Sequence, residues 1–328
     1  MLSPRLLLVV AAAIIFDFIN GFHDTANAVA TSVSTRVLTP MRAVVMASAL
    51  NFVGALVSTK VAHTVGQGIV SPHAVTQAVI LSGLLGAIAW NLVTWHWGIP
   101  SSSSHALVGG IIGAAVAFKG WQVLNLSGVA DIFGSLLVSP PVGFAVGLVV
   151  MVGLLWIFRH SIPARINAHF RRLQVLSAAF VAFSHGTNDA QKSMGIITMA
   201  LVTGGFLESF VVPWWVKLTC ALAMGLGTAA GGWRIIHTIG MRIIRLQPVH
   251  GFAAETSAAA VIQTASHFGL PVSTTHVMSS AIMGVGTSKR LSAVRWGVAG
   301  NIVLAWVVTP PVSALLGGLA YLALGRLM

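Results

Sequence analysis

The chain of 328 residues is 56% hydrophobic and only 7% charged, and its mean hydropathy is +0.90. Because an ordinary soluble domain carries about a quarter charged residues, this composition excludes a water-soluble globular protein and indicates a multi-pass protein of the lipid bilayer. The net charge of +12 does not predict a nucleic-acid partner, since the basic residues lie in short loops between apolar runs, where membrane topology explains them. The single cysteine, Cys220, excludes an internal disulfide and a cysteine-based metal site.

Apolar runs occupy most of the chain, and we predict an all-α integral membrane fold with about five crossings in each half. With about 20 residues as the length of one span, the first half has apolar runs at 5–33, 42–59, 74–97, 99–118 and 131–158. The second half has them at 173–202, 211–231, 252–268, 272–287 and 296–325. We therefore divide the chain into a first repeat (1–158), a basic cytoplasmic linker (159–172) and a second repeat (173–328).

Two kinds of segment occur once in each half, in the same order and at nearly constant spacing. The segments NGFHDTAN and HGTNDAQK bring Asp24 and Asp189 to equivalent positions. The segments GIPSSSSHALVGGIIG and GLPVSTTHVMSSAIMG do the same for His105 and His276. Since an odd number of crossings reverses the chain, five crossings per half predict two repeats of inverted topology.

The basic residues of the loops support the inversion. The 34–42 loop carries Arg36 and Arg42, whereas its counterpart at 203–213 has no lysine or arginine. The 60–73 loop has only Lys60, whereas its counterpart near 232–250 has three arginines. When the basic loops are placed in the cytoplasm, both termini lie outside.

Each Gly-x-Pro segment leads into hydroxyl residues that predict a helix start inside the membrane. Proline ends or kinks a helix, and serine and threonine are preferred N-cap residues. The free N–H groups of such a helix start, together with the hydroxyls, form a cradle for an oxyanion. The predicted cradle residues are Ser102, Ser103, Ser104, Ser273, Thr274 and Thr275. The alternative, that the hydroxyls only cap helices, is less favoured because duplicated, inverted broken helices mark transporter sites.

The acids Asp24 and Asp189 are expensive to leave bare in hydrocarbon, so each needs a cation, a proton or a donor network. We expect the backbone to unwind near Gly21 and Gly186, where free carbonyl oxygens would complete a site for a small cation such as Na⁺. Lys192, one turn beyond Asp189, would neutralise that acid or bind the anion. The alternative is a buried Asp–Lys pair that only holds the helices together.

Further polar residues in the apolar runs are candidates for the same site. Asn27 has the position in the first half that Lys192 has in the second. His105 and His276 close the hydroxyl segments, either as anion ligands or as hydrogen bonds between helices. Glu255 is a further intramembrane acid that the site can use.

Asp17 is a weaker candidate, since it precedes Asp24 by two helical turns and its counterpart in the second half is Ala182. The chain has no His-Glu-x-x-His motif for zinc and no Gly-x-x-x-x-Gly-Lys-Ser/Thr motif for ATP. Transport would therefore be driven by an ion gradient, with no cofactor beyond the coupling ion, H⁺ or Na⁺.

The two Gly-x-(Asn/His)-Asp segments and the segments GIPSSSSHALVGG and GLPVSTTHVMSSA closely resemble those of the PiT family of inorganic phosphate transporters, and the likeness covers nearly the whole chain. The resemblance, which is to the bacterial low-affinity permeases, implies inverted repeats with broken helices and re-entrant hairpins at the membrane midplane. It also implies phosphate import with H⁺ or Na⁺ by alternating access, a homodimer, and a place in the bacterial cytoplasmic (inner) membrane.

The resemblance, taken together with the residues themselves, gives two sets of site residues. The phosphate set is Ser102, Ser103, Ser104, His105, Asn188, Lys192, Ser273, Thr274, Thr275 and His276. The coupling-ion set is His23, Asp24, Asn27, Asp189 and Glu255, with Na⁺ at Asp24 and Asp189 if sodium is the ion.

The chain departs from the usual family motif Gly-x-Asn-Asp-x-x-Asn at two positions. His23 stands where the first asparagine is expected, and Lys192 stands where the last one is expected in the second half. The first departure is typical of a proton-coupled bacterial branch, and histidine titrates near neutral pH. Proton coupling is therefore slightly favoured over sodium coupling.

Other functions are less favoured. A permease of the same fold for sulfate or another oxyanion is the main alternative. If the cargo is phosphate, it is carried alone or as a metal–phosphate complex. An intramembrane enzyme is disfavoured because the sequence has no identifiable arrangement of a nucleophile and a base. A passive channel would carry the anion without concentrating it.

Overall fold

A computed structural model describes residues 3–325, which form helices without a β-sheet. The helices are α1 (Pro4–Ser34), α2 (Pro40–Ala55), α3 (Lys60–Gly68), α4 (Gln77–Trp97), α5 (Ser103–Lys119), α6 (Leu126–Ile157), α7 (Pro163–Thr203), α8 (Trp214–Ala230), α9 (Trp233–His237), α10 (Pro248–His267), α11 (Thr274–Thr287) and α12 (Trp296–Leu324). The predicted all-α fold is confirmed. The predicted position of the two chain ends falls partly on residues outside this range.

The helices start at the residues that helix chemistry favours. Proline occupies the first helical position of α1, α2, α7 and α10, where its missing N–H costs nothing. Ser102 and Ser273 cap α5 and α11, and each hydroxyl accepts a hydrogen bond, 3.2 Å long, from the backbone N–H of the histidine three residues on. Gly98 ends α4 with φ 65°, a left-handed conformation that glycine adopts without strain. The predicted helix starts after Pro100 and Pro271 are therefore present.

The backbone does not unwind at Gly21 or Gly186, and the expectation that it would is wrong. Both glycines lie inside continuous helices, α1 and α7. Their role is close packing: a Cβ on Gly21 would lie 2.6 Å from the carbonyl oxygen of Met224, and one on Gly186 would meet the backbone of Asn51. The helix carbonyls here stay in their own hydrogen bonds and are not free for a cation.

The segment 159–172, predicted as a basic linker, is mostly helical. α7 begins at Pro163, so three of the four arginines of this segment, Arg165, Arg171 and Arg172, lie on the first three turns of a 41-residue helix. Most of its residues are exposed. Basic composition correctly indicates solvent exposure here, but it does not exclude a helix, because arginine is a good helix former.

Four helices of the described chain are long and apolar enough to cross a membrane, namely α1, α4, α6 and α12. α2 and α3 would be a fifth span if counted together, although the chain bends by 73° between them. α5 has 17 residues and α11 has 14, which gives about 26 and 21 Å against a hydrocarbon core of about 30 Å. Both are therefore shorter than a full crossing, while the total of ten crossings stays a prediction.

The two halves exchange partners in a reciprocal way. α1 packs against α8 and α2 packs against α7, while α5 packs against α12 and α11 packs against α6. Each of these four pairs joins the first half to the second, while α7 also packs extensively against α10 of its own half. The halves form one interlocked body, and neither buries its apolar surface alone.

The equivalent helices α1 and α7 run in opposite directions where they meet. Near one end, the Thr35 hydroxyl donates to the Gln174 side chain over 2.9 Å. Farther along, carboxylate oxygens of Asp24 and Asp189 lie within 4.8 Å of each other. Moving back along α1 from 35 to 24 therefore means moving forward along α7 from 174 to 189.

Substitution of Gly113 should test the interlocking contact between α5 and α12. A Cβ at Gly113 would collide with the backbone of Ala314, so we expect Gly113→Ala to lower the free energy of unfolding by about 1–3 kcal/mol. Gly134→Ala in α6 is the matched control, because nothing lies within 4 Å of a Cβ there and alanine should add about 0.5–1 kcal/mol of helix stability. Thermal unfolding in detergent compares the two, and equal melting temperatures would contradict the packing argument.

Candidate functional site

The two acids and the two hydroxyl-rich helix starts meet in the middle of the protein. Asp24 lies on α1 and Asp189 on α7, while the N-termini of α5 and α11 point towards them. Asp24 is 3% exposed and Asp189 is 1% exposed, so water reaches neither to any extent. The site is a closed polar centre inside an apolar protein.

Asp24 lies in a hydrogen-bond network that contains no lysine or arginine. The His23 Nδ1 is 2.7 Å from the Asp24 carboxylate, and the Thr275 hydroxyl donates to the same carboxylate over 3.3 Å. The other ring nitrogen of His23 is 3.0 Å from the Thr94 hydroxyl, to which Ser101 donates over 2.9 Å. These contacts fix the orientation of the Asp24 carboxylate.

Asp189 lies in a network with a fixed cation. Lys192, one turn further along α7, pairs directly with its carboxylate. The Lys192 ammonium also donates to the Ser104 hydroxyl over 2.5 Å and to the Val272 carbonyl over 2.9 Å, so it joins α7 to the helix starts of both halves. The Thr274 hydroxyl donates to the other Asp189 oxygen over 2.9 Å. Lys192 therefore neutralises Asp189 and also places a positive charge next to the cradle.

Asn27 joins the two acid networks. Its amide donates to the hydroxyls of Thr274 and Thr275 over 3.3 and 2.8 Å. Since these hydroxyls in turn donate to Asp189 and Asp24, the start of α11 reaches both acids. The start of α5 bonds neither acid directly; its Ser104 hydroxyl accepts from Lys192 and donates to the Val272 carbonyl over 3.3 Å.

His185 is a site residue that the sequence argument did not assign. Its Nε2 lies 3.1 Å from the Asp189 carboxylate, and its Nδ1 lies 3.1 Å from the side-chain oxygen of Asn51. Ligand atoms of Asp24, His185 and Asp189 all fall within 4.8 Å of one another, which is a spacing that fits one small cation. The repeat alignment could have found it, because His185 opens the second acidic segment at the place of Asn20 in the first.

Several donors of the cradle have no partner within residues 3–325. They are the backbone N–H groups of Ser103, Ser104, Thr274 and Thr275 and the Ser103 hydroxyl. Free N–H groups at two helix starts, beside the Lys192 ammonium, are what an oxyanion requires. The arrangement can therefore hold a tetrahedral anion against the acid pair.

The side chain of Asn188 bonds residues outside the cradle in this structure, and its role as a phosphate ligand stays a prediction. Its amide donates to the Ser266 hydroxyl over 2.9 Å and to the Leu270 carbonyl over 3.3 Å. Its oxygen accepts from the backbone N–H of Val272 over 3.3 Å. Asn188 instead fixes the extended segment before α11, and so positions the hydroxyls that follow.

The two histidines of the hydroxyl segments lie behind the cradle. Their rings are 4.6 Å apart, and His276 stacks on Trp306 with 4.0 Å between centroids. His105 Nδ1 is 2.9 Å from the Ser102 hydroxyl, whereas His276 Nε2 is buried with no described partner. His276 can therefore still receive a ligand, while His105 supports the cap of α5.

Glu255 belongs to a separate polar cluster between α1, α7 and α10. The hydroxyls of Thr31 and Ser177 each donate to its carboxylate over 2.5 Å, and the Gln174 amide donates over 3.1 Å. Thr31 is seven residues beyond Asp24 on α1, which is about 10 Å along the helix. Glu255 is fully buried. Because its partners lie this far from Asp24, it does not contact the central site.

The chain is similar in sequence to known phosphate transporters. The sequence matches the Phosphate transporter family over residues 20–317. It is 50% identical to a probable low-affinity inorganic phosphate transporter of Bacillus subtilis (strain 168), with 98% of this chain and 97% of the relative covered. It is 49% identical to a protein of the same description from Rhizobium meliloti (strain 1021), with 98% and 96% covered.

A solved structure has the same fold. It is described as the sodium-dependent phosphate transporter, and its TM-score is 0.89 at 26% identity, with 99% of this chain and all of that chain covered. The sequence relatives are named as transporters, which is not an enzyme function, as predicted. The resemblance in the duplicated segments is confirmed: the chain is a multi-pass membrane protein that belongs to the phosphate transporter family.

Proposed function

We propose that the protein imports inorganic phosphate across the bacterial cytoplasmic membrane by symport with H⁺ or Na⁺ and alternating access. The observation that carries this proposal is the meeting of free helix N–H groups with two buried carboxylates at one closed centre. The named relatives support phosphate as the cargo.

The charges at the centre explain why transport is coupled to a cation. Asp24 and Asp189 contribute two negative charges, and Lys192 returns one positive charge. Phosphate adds a further negative charge in a place of low dielectric, where like charges repel strongly. A cation or proton bound at the acid pair is therefore a condition for binding phosphate, and this condition produces symport.

Phosphate fits the centre better than sulfate. At neutral pH phosphate keeps an O–H that can donate to a carboxylate, and sulfate has none. A buried carboxylate beside the anion would be left without its donor when sulfate binds, which costs affinity. Competition of phosphate uptake by excess sulfate distinguishes the two, and a metal–phosphate complex would show as uptake that depends on a divalent metal.

The antiparallel contact of α1 and α7 supports the proposed inverted repeat and alternating access. Equivalent elements of opposite direction give the protein two related conformations, one open to each side of the membrane. With the basic loops in the cytoplasm, both termini are outside. A homodimer is the assembly that the family resemblance supports, and mass measurement of the protein in detergent tests it.

Proteoliposomes test the proposal directly. We expect labelled phosphate to accumulate above its outside concentration under an imposed pH or Na⁺ gradient, and the gradient that drives it identifies the coupling ion. Liposomes without protein are the control. No uptake under either gradient would overturn the proposal, and uptake that only equilibrates would indicate a passive channel.

A further inference from the structure

Asp17 is an ionisable residue of the membrane core that has no partner among the described residues. It lies on α1, and its side chain is fully buried. Neither of its carboxylate oxygens accepts a hydrogen bond of normal geometry, and the ion pairs of the described chain do not include it. An isolated buried carboxylate is among the most expensive groups a protein can hold.

The surroundings of Asp17 suit a neutral acid. Ser193 on α7 and Cys220 on α8 face it, and both side chains are fully buried. The Ser193 hydroxyl also lacks a partner within the part of the chain that is described, so it can accept a hydrogen bond from a protonated carboxyl. A sodium ion would need five or six oxygen ligands, which one carboxylate and one hydroxyl do not supply, because the helix carbonyls are already bonded.

Other charges act on Asp17 from a distance only. On α7 these are Asp189 and Lys192, and on α8 the group that faces Asp17 is the thiol of Cys220. The Lys192 ammonium is occupied by Asp189, Ser104 and the Val272 carbonyl, so it does not neutralise Asp17. Within residues 3–325 a proton is therefore the remaining way to balance this acid.

The position of Asp17 links it to the central site. It lies seven residues before Asp24 on the same face of α1, or about 10 Å along the helix. Ser193, which faces Asp17, follows Lys192 directly in α7. The same turn of α7 therefore contacts both Asp17 and the cradle. A unit charge at this distance changes the affinity for a monovalent anion roughly tenfold at an effective dielectric constant of about 20.

We propose that Asp17 binds one of the protons that travel with phosphate, an inference that rests on the proposed symport. Outside, a proton from water binds the carboxylate, and the neutral acid donates to Ser193. Loss of this negative charge favours phosphate in the cradle. On the inside, the proton leaves to water, the charge returns and phosphate is expelled. The second half has Ala182 at this position, so the chain has one such site and not two.

The test measures how strongly a pH gradient concentrates phosphate. Each coupled proton supports about a tenfold accumulation for one pH unit of gradient. In proteoliposomes under a gradient of about one pH unit, we expect Asp17→Asn to lower the steady accumulation ratio about tenfold. Phosphate–phosphate exchange at equal pH, which needs no net proton movement, should continue at a rate close to that of the wild type.

Two variants serve as controls. Asp131→Asn changes an exposed acid on α6 and should leave both measurements unchanged. Asp17→Glu keeps a titratable acid and should keep the full accumulation ratio with a displaced pH dependence. A reduced accumulation ratio in Asp17→Glu would show that the shape of the side chain matters and not its proton, and would overturn the inference. This result decides the question even if Asp17→Asn does not fold.

The outcomes separate this inference from the proposed function. An Asp17→Asn protein with the wild-type accumulation ratio would overturn the inference alone. So would a wild-type protein that accumulates phosphate under a Na⁺ gradient and moves no proton, as read by a pH-sensitive dye inside the vesicles. A wild-type protein without uptake under either gradient would overturn the proposed function itself.

Discussion

Asp24→Asn should reduce phosphate uptake at least about 100-fold while the protein still folds and enters the membrane. The carboxylate is a ligand of the proposed cation, and removal of one charged ligand costs about 3 kcal/mol, with a factor of ten for each 1.4 kcal/mol. Folding should survive because asparagine has the same shape and the partners of Asp24, His23 and Thr275, carry no fixed charge. Initial uptake rates in proteoliposomes, normalised to the amount of inserted protein, measure the effect.

The control for this prediction is Asp131→Asn, which makes the same chemical change at an exposed position of α6. Its uptake should equal that of the wild type. Uptake by Asp24→Asn within about twofold of the wild type would contradict the role of this carboxylate, since the loss of a charged ligand cannot be so small. Size-exclusion chromatography in detergent separates a folding defect from a transport defect.

Asp189→Asn should behave differently, because it leaves the Lys192 ammonium buried without a counter-ion. We expect it to lower the free energy of unfolding by about 3–5 kcal/mol, and Lys192→Met should cost a similar amount. The double variant Asp189→Asn/Lys192→Met should recover most of the stability, since neither charge remains. Thermal or denaturant unfolding in detergent gives the three values.

Transport by the double variant decides whether the Asp189–Lys192 pair is only structural. We expect uptake to stay at least about 100-fold below the wild type, because the cation loses a ligand and the anion loses its adjacent positive charge. Recovery of both stability and uptake would show that the pair only holds the helices together. Recovery of stability alone would assign both residues to the site.

Much of this architecture could be predicted from the sequence, because apolar run length and helix-cap chemistry are local signals. The run at 74–97 became a helix at Gln77–Trp97, and the one at 272–287 became Thr274–Thr287. The helix starts at Ser102 and Ser273 followed from proline and hydroxyl residues alone. The repeated segments also identified the two acids that meet at the centre.

The parts that failed depend on contacts between distant segments. Glycine near Asp24 and Asp189 was expected to unwind the helix, but Gly21 and Gly186 are required by neighbouring helices that approach their Cα atoms. Asn188 has the same motif position as His23, yet its side chain bonds Ser266 and the segment before α11, which the motif alone does not indicate. Packing and hydrogen-bond geometry of this kind are set by the tertiary fold, and no local pattern contains them.

The neighbouring hydroxyls of Thr274 and Thr275 have a consequence for leakage. They hold one acid from each half of the protein, so α11 cannot separate from α1 and α7 without breaking bonds on both sides. Each such bond to a charged group contributes about 1.5–3 kcal/mol, and only a cation on the acids or an anion on the cradle would compensate for its loss. In the empty protein both bonds therefore hold the centre closed, which limits the leakage of ions through it.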